Sequence, residues 1–143
     1  MYDISGLSKG QSGANHNAYH EKLVVDAKAA YYDGNYSLAE RLLEESLRTA
    51  QKADSLDSRV IESFHALARH YTSYRDYAKA EQLYRRVLDA RKAVVGPSHP
   101  DVADSLRRIA AVLRQTWKLS EAHQLERSAD EIVQAATAAQ HKS

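Results

Sequence analysis

The chain has 143 residues, a formal net charge of +1 and no cysteine. This length suits one domain, and a charge so close to zero gives a nucleic-acid partner no bulk electrostatic attraction. The lack of cysteine excludes disulfides, a thiol nucleophile and a cysteine zinc site. The chain shows no signal-like start and no run of about 18 apolar residues, so we expect a cytoplasmic protein without a membrane partner.

The chain starts with small and polar residues and continues as a series of helical patterns. Residues 1–14 are rich in Gly and Ser and are predicted to form a flexible arm. Residues 15–140 are predicted to form a single domain, because apolar residues recur in it at three- and four-residue steps. Turn signals divide this domain into helices that pair as three antiparallel hairpins, at about 15–53, 56–95 and 99–139.

The boundary between the second and third hairpins carries the clearest stop and start signals. Gly96 follows an apolar helical pattern and suits the left-handed conformation that ends many helices. His99 is expected to cap the next helix, Pro100 fits its first turn, and Asp101 complements the helix dipole. We therefore expect a tight turn between two helices here.

The chain also repeats itself with a period of 41 to 42 residues. A shift of 41 brings Tyr36 onto Tyr77 and Ala39 onto Ala80, and a shift of 42 brings Ala80 onto Ala122. Small residues recur where two helices must approach closely, as in proteins built from stacked helical repeats. The sequence therefore predicts one structural unit repeated along the chain.

The middle hairpin shows the repeated pattern most completely. Its apolar and small positions are Phe64, Leu67, Ala68 and Tyr71, then Tyr77, Ala80 and Tyr84. This pattern resembles the tetratricopeptide repeat. The long period and the sequence GPSHPDVA at residues 96–103 are similar to the long-repeat subclass of kinesin light chains and many bacterial regulatory proteins. The resemblance covers about residues 20–135 and implies an all-α, right-handed superhelix of hairpins that binds proteins or peptides and is not an enzyme.

The resemblance also implies a concave wall formed by the first helix of each hairpin. We predict the binding face as the side of these helices opposite the core pattern, with acids at the helix starts and a basic middle. Its predicted residues are Lys28, Tyr31, Tyr32, His65, Arg69, Thr72, Arg107, Arg108 and Arg114. Arginine binds carboxylates through paired hydrogen bonds, and tyrosine offers adaptable contact area. The expected partner is therefore an acidic peptide or protein segment with an apolar anchor. The alternative is that these arginines are ordinary solvated side chains.

A different function, self-assembly, is also compatible with the sequence. The ends of the stack and the Ala-rich last helix offer surfaces for a second copy, so we expect a monomer or a weak homo-oligomer. The last helix is predicted to pack its apolar side against Leu113 and Trp117 and so to cap the stack.

The sequence contains no arrangement typical of a cofactor, metal or catalytic site. His16 and His20 lie four residues apart, but no third ligand has suitable spacing, so we expect a solvated pair. No Gly-rich phosphate loop is present. The carboxylate clamp of chaperone-binding tetratricopeptide domains is rejected as well, because only Arg108 fits it and Asp104 would repel the ligand.

Overall fold

The structure, a computed structural model, describes the backbone of residues 11–52 and 56–141 and the side chains of residues 17–49 and 56–141. These residues form helices joined by short turns, with no strand in the described ranges. The helices are α1 (Gln11–Tyr32), α2 (Tyr36–Lys52), α3 (Ser58–Ser73), α4 (Tyr77–Val95), α5 (Pro100–Gln115) and α6 (Leu119–His141).

The helices pack as the sequence predicts. Helix α1 packs on α2, α3 on α4 and α5 on α6, while α2 contacts α3 and α4 contacts α5 where the hairpins stack. The predicted all-α stack of three helical hairpins is confirmed. Helix α1 begins at Gln11, four residues before the predicted start of the domain at residue 15. The rest of the predicted arm, residues 1–10, lies outside the described residues.

The alanines of the repeated pattern mark the places where helices cross. Ala39, Ala80 and Ala122, which the period aligns, are all fully buried. A side chain with only a Cβ lets two helix backbones approach closely, and larger buried side chains such as Phe64 and Leu83 belong to the same core. The repeated small residues are therefore a packing requirement of each hairpin.

Each hairpin closes through the same turn. The residue at its centre has a left-handed backbone, with φ of 79° at Gly34, 61° at Arg75 and 63° at Trp117. In each turn the next amide donates back to a carbonyl five residues earlier, as in a Schellman motif. These hydrogen bonds run from Asn35 to Ala30 at 2.8 Å, from Asp76 to Tyr71 at 2.8 Å and from Lys118 to Leu113 at 2.9 Å.

The position of Trp117 in this turn corrects one prediction. Leu113 is buried, as expected of a residue that receives the last helix, but Trp117 is 83% exposed. Its left-handed backbone belongs to the turn rather than to α5, so its ring does not support α6. Helix α6 instead buries Ala122 and Ala129, and three partly buried side chains pack beside them on the core: Leu125, Ile132 and Val133.

The shared turn predicts that glycine stabilises the hairpins that lack it. Arg75→Gly should raise the free energy of unfolding by about 0.5–1 kcal/mol, because only glycine adopts a left-handed backbone without strain. Thermal unfolding followed by circular dichroism should show the melting temperature rising by a few degrees. Gly34→Ala is the matched control: a Cβ there meets no atom within 4 Å, so the expected fall in melting temperature reports backbone strain alone. An unchanged or lower melting temperature for Arg75→Gly would contradict this account.

The packing of α6 predicts that it stabilises the rest of the stack. Truncation after Ser120 removes the buried Ala122 and Ala129 and uncovers the α5 side chains beneath them. At roughly 25 cal/mol per Å² of apolar surface, the truncation should lower the free energy of unfolding by several kcal/mol. Differential scanning calorimetry should then show a large fall in melting temperature or aggregation on heating, and an unaltered melting curve would show that α6 is dispensable.

Candidate functional site

A groove with a volume of about 500 Å³ lies between α1 and α3, on the side of the first two hairpins formed by their first helices. Buried Leu43 and Leu67 belong to its lining, so its inner part is continuous with the hydrophobic core. Seven side chains on its α1 and α3 sides define what we call the α1–α3 groove: Val25, Lys28, Tyr31, Tyr32, Glu62, Ala66 and Arg69.

Apolar side chains are unusually exposed in the α1–α3 groove. Val25 is 58% exposed and Tyr32 is 73% exposed. Tyr31 packs edge-to-face against Tyr32, with their ring centroids 5.6 Å apart, and this contact supports the exposed ring. A ligand with an apolar or aromatic side chain would therefore gain contact area here by removing both from water.

Two cations in the groove have no acidic partner. Lys28 and Arg69 occupy equivalent positions, 41 residues apart, and both are exposed. Among the side chains that the structure describes, neither forms an ion pair or a hydrogen bond. Arg59 on the same side is different, because its guanidinium is held by Glu21 and Asp57. Lys28 and Arg69 are thus the cations of the groove that remain available to a ligand.

The remaining arginines of the predicted face lie elsewhere and are paired. Arg107 donates to Asp130 at 3.0 Å and Arg114 donates to Glu126 at 2.6 Å, and both acids belong to α6. Arg108 is half-buried and donates to Asp104 on its own helix at 3.0 Å. The arginines predicted for the third hairpin are therefore held by acids and do not line the α1–α3 groove.

His65 and Thr72 were also predicted to line the binding face, but neither belongs to the groove lining. His65 is only 1% exposed, and Thr72 donates its hydroxyl proton to the Ala68 carbonyl oxygen at 2.8 Å. Positions 24, 65 and 107 are equivalent in the repeat: Val24 and His65 are buried, and Arg107 is exposed. This position faces the next hairpin in the stack, so it is covered in the first two hairpins and open in the third.

Lys28, Tyr31, Tyr32 and Arg69 are thus brought together by the structure, while the other five predicted residues lie outside the α1–α3 groove. The groove also includes Val25 and Ala66, which lie on the predicted face, one helical turn from predicted residues, but were not counted among its binding residues. Helical spacing alone places residues 25, 28 and 32 on one side of α1.

A polar cluster fixes the start of α3 beside this groove. The ring of His20 on α1 contacts the Asp57 carboxylate through Nε2 at 3.0 Å and the Thr49 hydroxyl on α2 through Nδ1 at 3.2 Å. Asp57 also caps α3 by accepting from the Arg59 amide at 2.9 Å. The prediction that His20 is solvated is wrong, because these two contacts hold it, while the side chain of His16 lies outside the described residues.

The Asp57 carboxylate is the electrostatic centre of this cluster. Hydrogen bonds from the Arg59 side chain lower the pKa of Asp57 from 3.8 to about 2. Partial burial acts against this shift, and hydrogen bonds from the Arg59 amide and from His20 add to it. The ionised form is therefore the one that joins α1, α2 and α3.

Comparison with known proteins identifies the repeat. The family model described as tetratricopeptide repeat matches residues 27–93 and again residues 75–135. No curated protein matches the chain. Within the described residues, no helix is both long and apolar enough to cross a bilayer. Nor do those residues contain a cluster of three or more His, Cys, Asp or Glu side chains suited to a metal ion.

The role of Asp57 predicts an acid-dependent loss of stability. Because the folded state lowers the pKa of Asp57, its stabilisation is complete above about pH 4 and is lost as the pH falls through about 2. Asp57→Ala should lower the free energy of unfolding at neutral pH by about 1 kcal/mol, which is the usual value of a helix N-cap. It should also reduce the slope of stability against pH between 4 and 2. Urea unfolding at several pH values measures both effects, with Asp33→Ala, an exposed aspartate in a hairpin turn, as the control.

Proposed function

Because the chain belongs to the tetratricopeptide repeat family, whose members are in general protein–protein interaction modules, we propose that it binds an extended peptide or protein segment in the α1–α3 groove. The expected segment carries an apolar or aromatic anchor and at least one carboxylate. The partner is thus a protein, and the domain acts as an adaptor rather than as an enzyme.

One observation carries this proposal: exposed apolar side chains and unpaired cations lie in the same groove. Val25 and Tyr32 supply the apolar surface, and Lys28 and Arg69 supply positive charge without a competing acid in an ion pair. An acidic segment would replace water at these cations by charge-assisted hydrogen bonds, which are shorter and stronger than hydrogen bonds between neutral groups. Glu62 on the α3 side disfavours a ligand that is acidic along its whole length, which limits the acidic part to the region of Lys28 and Arg69.

We also propose that the chain belongs to the long-repeat subclass and works in the cytoplasm. The period of 41 to 42 residues supports the subclass, because the residues that it aligns are buried at equivalent places in each hairpin. Residues 96–103 support it too. Gly96 ends α4 with φ of 87°, and His99 caps α5 by accepting from the Asp101 amide at 3.0 Å.

The proposal predicts a charge-dependent peptide interaction. Peptides selected from a random displayed library should carry acidic residues beside an apolar or aromatic residue. Lys28→Glu combined with Arg69→Glu should weaken the best of them at least about tenfold, because two attractive contacts become repulsive. Binding measured by fluorescence anisotropy should also weaken as salt rises, since charges are screened over about 8 Å at physiological ionic strength.

The matched control is Arg127→Glu, which reverses an exposed arginine on α6, away from the groove. It should leave peptide affinity and melting temperature nearly unchanged. Wild-type affinity in the Lys28 and Arg69 double variant would place the binding surface elsewhere on the stack.

Self-assembly is the second candidate function, and one observation favours it. Trp117 and Leu119, two apolar residues at the last hairpin turn, are 83% and 47% exposed. Analytical ultracentrifugation over a range of concentrations tests this function. A dimer that dissociates in Trp117→Gly would support it, and a monomer at high concentration would leave peptide binding as the function.

A further inference from the structure

His65 is a polar side chain buried without a hydrogen bond. It lies in the middle of α3 and is 1% exposed, and neither of its ring nitrogens has a partner. Burying a polar group in this way costs free energy, and most buried polar groups in proteins avoid it. The peptide-binding proposal does not use this residue, because it faces the next hairpin and not the α1–α3 groove.

The charged groups near His65 are three cations and two acids. On α4 its neighbours are Tyr84, whose ring centroid is 5.8 Å away, and Arg91. On α5 they are Asp104 and Arg108, and on α3 itself they are Arg69 and Glu62.

Neither of the two acids among these groups is placed to accept from His65. Asp104 already accepts from Arg91 and from Arg108, each at 3.0 Å. Glu62 lies 4.0 Å from the Nδ1 atom of His65, beyond hydrogen-bond distance, and its side chain is 72% exposed. A protonated His65 would therefore have a second N–H without an acceptor, and the nearby charges of Arg108 and Arg91 would oppose its own.

We propose that His65 is an acid-sensitive switch at the contact between the second and third hairpins. In the closed state the ring is neutral, and α5 packs against α4 beside it. In the opened state the ring is protonated, the third hairpin has moved away, and water reaches the imidazolium. The first and second hairpins, which form the α1–α3 groove, stay together.

The electrostatics of the site agree with this geometry. Burial, followed by the charges of Arg108 and Arg91, lowers the pKa of His65 from 6.5 to about 4. A histidine with a lowered pKa in the closed state stabilises that state fully above about pH 6.5 and less at each lower pH. Between about pH 6 and pH 4.5 the opened state binds about one more proton than the closed state. The equilibrium constant for opening should then rise by about tenfold for each pH unit.

Hydrogen exchange of the intact chain between pH 7 and pH 4.5 tests whether the third hairpin opens in acid. The protection factors are corrected for the intrinsic pH dependence of exchange. Protection of α5 and α6 amides should fall by close to tenfold per pH unit in the wild type, while α1 and α2 amides keep theirs. His65→Leu removes the titrating group and should abolish this slope, and His65→Gln should do the same if the leucine variant does not fold. His123→Gln, an exposed histidine on α6, is the matched control and should retain the wild-type slope.

Three outcomes would overturn the proposal. The first is an equal loss of protection in all helices, which would mean that the acid transition is global unfolding. The second is an unchanged slope in both His65 variants. The third is an imidazole proton titration, followed by NMR, in which His65 has a pKa at or above the ordinary value of 6.5.

Discussion

A helical hairpin of this kind cannot bury all of its apolar surface by itself, and stacking on the next hairpin is the constraint from which the other features follow. Alanines such as Ala39 and Ala80 let the two helices of a hairpin approach, and the faces that remain must be covered by a neighbour. The same residue position therefore has different surroundings along the stack. Val24 is covered by the second hairpin and His65 by the third, while Arg107 belongs to the third hairpin, and no further hairpin follows it in the described residues.

At the corresponding face of the last hairpin, ion pairs between α5 and α6 take the place of apolar contacts with a further hairpin. Arg107 and Arg114 on α5 reach Asp130 and Glu126 on α6, at positions equivalent to His65 and Thr72 of the middle hairpin. Exposed ion pairs of this kind contribute little to stability, but they keep the outer face polar and disfavour the packing of another apolar surface on it. These arginines serve the end of the stack, which explains why they are absent from the groove.

Stacking also creates the groove and sets its character. Because α1 and α3 lie side by side, equivalent positions of successive repeats line one surface, and Lys28 and Arg69 lie in the same groove. The cluster of His20, Thr49 and Asp57 fixes the start of α3 against the first hairpin. An interaction surface of this kind needs a rigid support, since ordering its parts on binding would cost affinity.

The sequence by itself determined the helices, their pairing and the family. Period, apolar spacing and turn residues are local properties of the chain, and the helices end within a few residues of the predicted positions. Four of the nine predicted site residues lie in the groove for the same reason, because helical spacing identifies the side of α1 that carries Lys28 and Tyr32.

Only the tertiary structure decided which polar side of a helix faces the groove and which faces the next hairpin. On a helical wheel the two sides adjoin, so the spacing of His65 or Arg107 does not separate them. The partners of Arg107 and Arg114 and the contacts of His20 were hidden from the sequence as well. Each depends on residues 12 to 37 positions away that are brought close when the helices pack.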